Sequence, residues 1–303
     1  MFSLYSRARA ALGSVLVAWM VLSWPNIVRA NPSVPSDSAS PGPSASATPR
    51  ADQPVVANDP CGGPGRLLAT LNRPTFGYSA CAVPKGAVVL EEGYQNQYQG
   101  GPAAAVIATF PQGFQRVGVA DRLELDLIGP AYNRSRSGGS IATGYSDLGL
   151  GFKYELPQRG RLTYAVDGLF AASTGTGGFG AGGPTSAINI DVAYAASPAV
   201  GIGVTLAGYS TVGMTSNALA RFGYFLPSLV ITAQIPNAYQ FYGELVGRTK
   251  LAPDRGGQVL TDFGVQKLLG TNLEVDAEYG VDFTPVAGSR FQYVGLGFGL
   301  RVR

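Results

Sequence analysis

Between Asn272 and Phe283 the chain reads NLEVDAEYGVDF, and its carboxylates fall on alternate residues. Glu274, Asp276, Glu278 and Asp282 share one parity, interrupted only by Gly280, while Leu273, Val275, Ala277, Tyr279, Val281 and Phe283 hold the other. Carboxylates this close could work as an acid–base pair, with Glu274 and Glu278 on one face, or they could set up a fixed negative field. The acid–base reading has little support, because the row has no pocket signature around it. The chain contains no histidine, so a Ser-His-Asp hydrolase lacks its base. Two cysteines without histidine are also too few for a zinc set. No catalytic residue, metal or cofactor is expected, which leaves the field to be explained.

A two-residue period belongs to a strand, since a helix would spread these acids around its whole surface. One greasy and one charged face suits a soluble antiparallel sheet with a wet side. It equally suits a membrane barrel with lipid outside and water inside. The remainder of the chain favours the barrel. The alternation recurs over 87–98, 103–120, 122–132, 145–156, 161–171, 186–195, 199–210, 219–235, 239–248, 257–269, 272–283 and 290–302, giving twelve expected strands. Pro111 and Pro227 interrupt the second and eighth, where a bulge or strand end is expected. The connections alternate in length. ADR, PQRG, SPA, PNA and GTN are tight, and between them come NRSRSGGSIATG, STGTGGFGAGGPTS, TVGMTSNA, TKLAPDRG and TPVAGS. Short turns on one side and longer loops on the other mark an outer-membrane barrel, and an even strand number puts both chain ends on the short-turn, periplasmic side. The expected fold is therefore an all-β, transmembrane, antiparallel up-and-down barrel of about twelve strands.

If the aliphatic parity meets lipid, the other parity points inward. That places Glu124, Asp126, Asp147, Glu155, Asp167, Asp191, Glu244, Asp262, Glu274, Asp276, Glu278 and Asp282 in the lumen, together with Arg122, Lys153, Arg161, Arg248 and Arg301. Many of these acids should pair with bases across neighbouring strands. The surplus acid should make the lumen electronegative and favour cations or neutral polar solutes. Twelve strands enclose more space than side chains fill, so a water path is expected; a closed barrel with mutually neutralised charges is the alternative. Tyr94, Tyr98, Tyr132, Tyr145, Tyr154, Tyr194, Tyr209, Tyr239, Phe241, Phe283 and Phe291 cluster near strand ends. They read as interfacial girdles, with a slide for aromatic compounds as the sharper alternative. The Gly-rich loop STGTGGFGAGGPTS lacks the Lys and the following helix of a phosphate-binding loop and reads as an external loop.

Composition agrees with this reading. Charged residues are 14% of the chain, with 42 Gly, 15 Tyr and 14 Phe, where a soluble domain carries about 25% charged residues. Residues 1–30 have Arg7 and Arg9 before an apolar run from Ala11 to Trp24, with Val28 and Ala30 at a cleavage site. This is a secretory signal peptide cleaved after Ala30. Its removal takes three arginines and no acids, leaving a balanced chain with no basic run for nucleic acid. Residues 31–60, rich in Pro, Ser and Ala, are expected to be a disordered linker. Cys61 and Cys81 should be bridged in an oxidising compartment, stapling residues 61–86 into a segment that could plug, cap or lead into a barrel over 87–303.

GYQNQYQGG, FQRVGVADRLELDL, GYSDLGLGFKYEL and the closing YVGLGFGLRV resemble the bacterial outer-membrane barrels named for the meta-pathway of phenol degradation. The likeness covers roughly residues 83–303, and LNRPTFGYSACAVPKG resembles the lead-in of one branch of that family. The resemblance implies small-molecule transport across the outer membrane without naming the cargo. Its partners would be outer-membrane lipid, a solute and the barrel-assembly machinery. Barrels of this class usually end in an aromatic residue, whereas this chain ends Val302-Arg303, with Phe298 the nearest aromatic.

Overall fold

Strands alternating in polarity bury one face only when the sheet curls shut, and closure also removes the unpaired edges. The computed structural model describes residues 60–61, 66–101, 104–215, 217–284 and 290–302. The signal peptide expected at 1–30 and the linker expected at 31–60, apart from Pro60, lie outside the described residues. Among the described residues no helix is long and apolar enough to cross a membrane.

One short helix, α1 (Arg66–Thr70), precedes fifteen strand segments. These are β1 (Val88–Gln99), β2 (Ala105–Phe110), β3 (Phe114–Ala120), β4 (Leu123–Ile128), β5 (Tyr132–Ser137), β6 (Ser140–Tyr145), β7 (Leu148–Glu155), β8 (Leu162–Ala172), β9 (Thr185–Ala195), β10 (Val200–Met214), β11 (Leu219–Ile235), β12 (Tyr239–Arg248), β13 (Gln258–Leu269), β14 (Leu273–Asp282) and β15 (Phe291–Arg301). All form one antiparallel sheet, which β1 closes by pairing with β15 from Val89↔Arg301 to Gln99↔Phe291. The result is a closed barrel of twelve staves.

Three neighbouring staves are each broken in two. β2 and β3 both pair with β1, β4 continues β3's other edge while β5 pairs with β2, and β6 and β7 follow in the same way. Pro111 lies between β2 and β3, and Pro130 between β4 and β5. A proline has no N–H for the ladder, so each strand ends there. Pro227 behaves differently. It sits within β11 opposite Leu206, and pairing continues on both sides. The segment NRSRSGGSIATG, expected as a loop, is mostly the hairpin β5–β6. Its turn is Gly138-Gly139, with φ of 54° and 81°. Positive φ at both central residues gives the turn that matches strand twist, so the ladder extends where polar residues alone suggested a loop.

The two faces differ as a membrane barrel requires. Leu150, Ile188, Ile190, Ile231, Phe263 and Leu296 are at least half exposed on the outside, while Glu124, Lys153, Asp191, Asp262 and Glu274 are fully buried inside. Replacing Leu229, outward and near the middle of β11, by Arg should cost about 2–4 kcal/mol at the bilayer midplane. Urea titration of protein folded in lipid vesicles measures this. A loss under about 1 kcal/mol would place Leu229 at the interface instead.

Candidate functional site

A wide barrel with a charged inner face must solvate or fill its interior. Here residues 66–86 fold into it. Leu67, Leu68 and Leu71 of α1 and its exit pack with Val83, Ala87, Val89 of β1 and Leu268 of β13 in one buried apolar cluster. The Cys61–Cys81 disulfide staples this segment. Val89 and Leu268 are apolar yet point inward, and the plug accounts for both.

The plug is largely irregular chain, so its backbone N–H groups need acceptors. The wall supplies them from carboxylates. Glu91 Oε2 accepts the amides of Asn72 and Arg73, both at 2.8 Å. Glu244 accepts those of Phe76 at 2.8 Å and Gly77 at 2.7 Å. Glu155 accepts Ala82 N at 2.9 Å, and Glu124 Oε2 accepts Val83 N at 2.5 Å. Thr205 Oγ1 accepts Tyr78 N at 2.9 Å. Twice, then, one carboxylate captures two successive amides, as an anion does in a backbone nest.

Charge pairing ties the same groups together. Arg116 on β3 is fully buried between Glu91 Oε1 and Glu124 Oε1, each at 2.6 Å, and donates to Thr70 O of the plug at 2.5 Å. Lys153 lies 3.8 Å from Glu124 and donates to Asn72 Oδ1 at 2.9 Å. On β14, two staves from β1, Asp276 and Glu278 lie 3.4 Å and 3.6 Å from Arg73 of the plug. A Cβ on Gly93 or Gly297 would run into its guanidinium, so these glycines make room for the side chain. Burial raises the Tyr78 phenol well above its ordinary value, reinforced by Tyr209, Asp167 and Asp191. Tyr78 therefore stays neutral and packs edge-on against Phe114, with ring centroids 5.7 Å apart.

The other acids named from the sequence have varied surroundings. Asp167 accepts from Asn189, Asp191 from Thr205 and Asp262 from Tyr293, each at 2.6 Å. Asp282 accepts from Gln258 and from Phe291 N, and Asp126 lies 3.7 Å from Arg116. Glu274 is fully buried on β14. Asp147 instead holds the long β8–β9 loop, accepting Gly175 N and Ala181 N. Among the bases, Arg122 is an exposed turn residue with φ 68°. Arg161 is exposed and donates to Ala196 O, and Arg301 donates to Asn272 and Thr271 in the β13–β14 turn. These three lie at the short-turn rim. Arg248 stacks 4.2 Å over Tyr224, which itself stacks on Tyr209 at 4.6 Å.

Glu91, Arg116 and Arg73 were absent from the sequence-based set. Glu91 is one of two adjacent glutamates, which hides its parity, and Arg116 follows the Pro111 break. The neighbouring EEG and FQR strings carry the signal only once β1 and β3 are in register. Tyr209, grouped by sequence with the girdle residues, faces the lumen, whereas Tyr94, Tyr98, Tyr132, Tyr145, Tyr154, Tyr194, Tyr239, Phe241 and Phe283 are exposed outside.

A cavity of about 390 Å³ remains between the plug and the inner faces of β9 to β13. Gln234, Gln240 and Gln266 line it as an amide ladder, with Gln240 Nε2 donating to Gln266 Oε1 at 2.7 Å. Thr205, Thr232 and Tyr242 add hydroxyls, and Leu68 and Leu71 add apolar surface. It reaches the β9–β10 turn at Ser197–Ala199.

The barrel is similar to an outer-membrane channel from Pseudomonas putida F1, with a TM-score of 0.57 and 13% identity over 73% of this chain and 97% of that one. It also matches the NanC porin, with a TM-score of 0.47 and 11% identity over 70% of this chain and 100% of that one. No protein-family profile and no curated protein matches the sequence. The likeness at this identity is one of fold.

Replacing Glu91 by Ala strips two plug amides and Arg116 of their acceptor. Removing one partner of a buried pair costs about 3–5 kcal/mol, and the loss should fall on plug docking. Hydrogen exchange at residues 66–86 should speed up strongly while β8–β13 stay protected. Unchanged exchange in the plug would refute this anchoring role.

Proposed function

We propose that the protein is an outer-membrane channel for small molecules whose lumen is narrowed by its own N-terminal segment. The cavity between plug and wall carries this reading. It has the size of a small-ligand site and opens toward the short-turn, periplasmic end. Its wall mixes amides, hydroxyls and leucine side chains, a surface suited to compact neutral solutes with an apolar or aromatic body. Glu274, Asp276 and Glu278 on β14 give the lumen an electronegative side, which disfavours anions. At the long-loop end, Tyr209, Tyr224 and Arg248 form a stacked ledge that a solute meets before the plug. In this reading the chain sits in the outer membrane after signal-peptide cleavage, with lipid, a solute and the barrel-assembly machinery as its partners.

A second reading is a structural or surface-interaction barrel with a blocked lumen. The carboxylates that grip the plug amides favour it, because anchoring through Glu91, Glu124, Glu155 and Glu244 is extensive.

Planar-bilayer recording separates the two. The channel reading expects discrete conductance from the full-length protein and larger steps when residues 61–86 are deleted. Folded full-length protein that never conducts supports the blocked barrel. In the conducting form, replacing Glu274, Asp276 and Glu278 by Gln, Asn and Gln should lower cation preference, read as a shift of reversal potential toward zero in a salt gradient. An unchanged reversal potential would remove these acids from the path.

A further inference from the structure

The lipid-facing surface of β9, β10 and β11 is not uniformly bulky. Gly208 lies directly opposite Ile188 on one side and Phe225 on the other, and both of those side chains project outward, 61% and 42% exposed. One rung nearer the long loops, Ser210 lies opposite Ser186 and Gly223. A groove thus runs along β10, with apolar walls at Gly208 and a small, hydroxyl-bearing floor above it. Nothing steric requires glycine here, since a Cβ on Gly208 would meet no atom within 4 Å. Glycine in a strand costs stability and often marks a bulge, a tight bend or a close approach to the backbone; the register runs through Gly208 to both neighbours without a shift, which leaves the close approach.

Arg221 stands at the top of the groove. It is exposed on the outward parity of β11 and donates Nη1 to Ser210 Oγ at 3.1 Å and Nη2 to Pro184 O at 2.9 Å. Those bonds fix the guanidinium over the groove and leave further donors free. Among the described residues no carboxylate forms an ion pair with Arg221. From the bilayer outward, the surface therefore runs from apolar walls to hydroxyls to an unpaired guanidinium. A phosphorylated acyl lipid has the same order of chemistry, from chain to linkage to anionic head.

We propose that this groove binds one phosphate-bearing acyl lipid of the outer leaflet, with an acyl chain over Gly208 between Ile188 and Phe225 and its phosphate on Arg221. Guanidinium and phosphate match in a planar, forked geometry. The site rests on the membrane-barrel architecture and not on conduction, so a non-conducting protein leaves it intact.

The test is native mass spectrometry of the full-length protein in detergent, titrated with diphosphoryl lipid A. One lipid should be retained per chain. Arg221→Gln should weaken retention about tenfold or more, the range expected for a lost charge-assisted bond, and lipid A stripped of its phosphates should bind the unaltered protein equally poorly. Gly208→Leu fills the groove where the structure has open space, and it should also lower retention while keeping the heat-modifiable gel migration of a folded barrel. Retention unchanged by Arg221→Gln or by loss of the phosphates would overturn the proposal. So would loss in Arg221→Gln with full retention in Gly208→Leu, which leaves a phosphate contact without a groove. Displacement of the lipid by millimolar inorganic phosphate alone would also overturn it, by reducing the site to an anion contact.

Discussion

One buried guanidinium holds the barrel and its plug together. Arg116 is fully enclosed, meets Glu91 on β1 and Glu124 on β4, and reaches the last carbonyl of α1 at Thr70. Three chain segments, whose contacting residues lie 8, 25 and 46 residues from Arg116, converge on that one side chain. Each carboxylate uses its second oxygen on the plug, Glu91 on Asn72 N and Arg73 N and Glu124 on Val83 N. A buried charge network is stable only when nearly every lone pair and N–H has a partner. This one meets that condition only with the plug docked, so its charges and the plug position are one problem.

The same logic extends around the barrel to β12 and β14. Glu244 captures Phe76 N and Gly77 N, and Arg73 leans on Asp276 and Glu278. The plug is therefore held across the lumen by acceptors on both sides, while its leucines pack against the few apolar residues that face inward. Amide donors of irregular chain need acceptors that can take two bonds from one direction, and carboxylates do this better than hydroxyls. This accounts for four of the inward acids, Glu91, Glu124, Glu155 and Glu244, while Asp167, Asp191 and Asp262 bond side chains of the wall itself. It also divides the interior: the β1–β4 side is occupied, while the β9–β13 side, with its glutamine ladder, keeps a cavity.

The outer face follows separate rules. Bulky residues meet lipid along most staves, and tyrosines collect toward the ends. The ladder breaks at Pro111 and Pro130 lie in adjacent staves, so strand interruptions concentrate on one side of the barrel. On the far side β10 and β11 run long and unbroken, with the groove over Gly208.

The sequence by itself determined the barrel. Period-two alternation, alternating loop lengths and scarce charge need no tertiary knowledge, because each is a local consequence of a strand with one face in lipid. It also determined the parity of NLEVDAEYGVDF, since a one-residue slip would put all four acids into hydrocarbon. Strand breaks were legible at Pro111 but not at Pro227, where the tertiary ladder tolerates the missing N–H. What the carboxylates are for was decided only by tertiary structure. For Glu91, Glu124, Glu155 and Glu244 the partners are backbone amides some 20 to 170 residues away in sequence, from Asn72 and Glu91 to Phe76 and Glu244. An amide carries no side-chain signature, so no pattern of residue types could announce that the acidic face of this barrel would close around its own N-terminal chain.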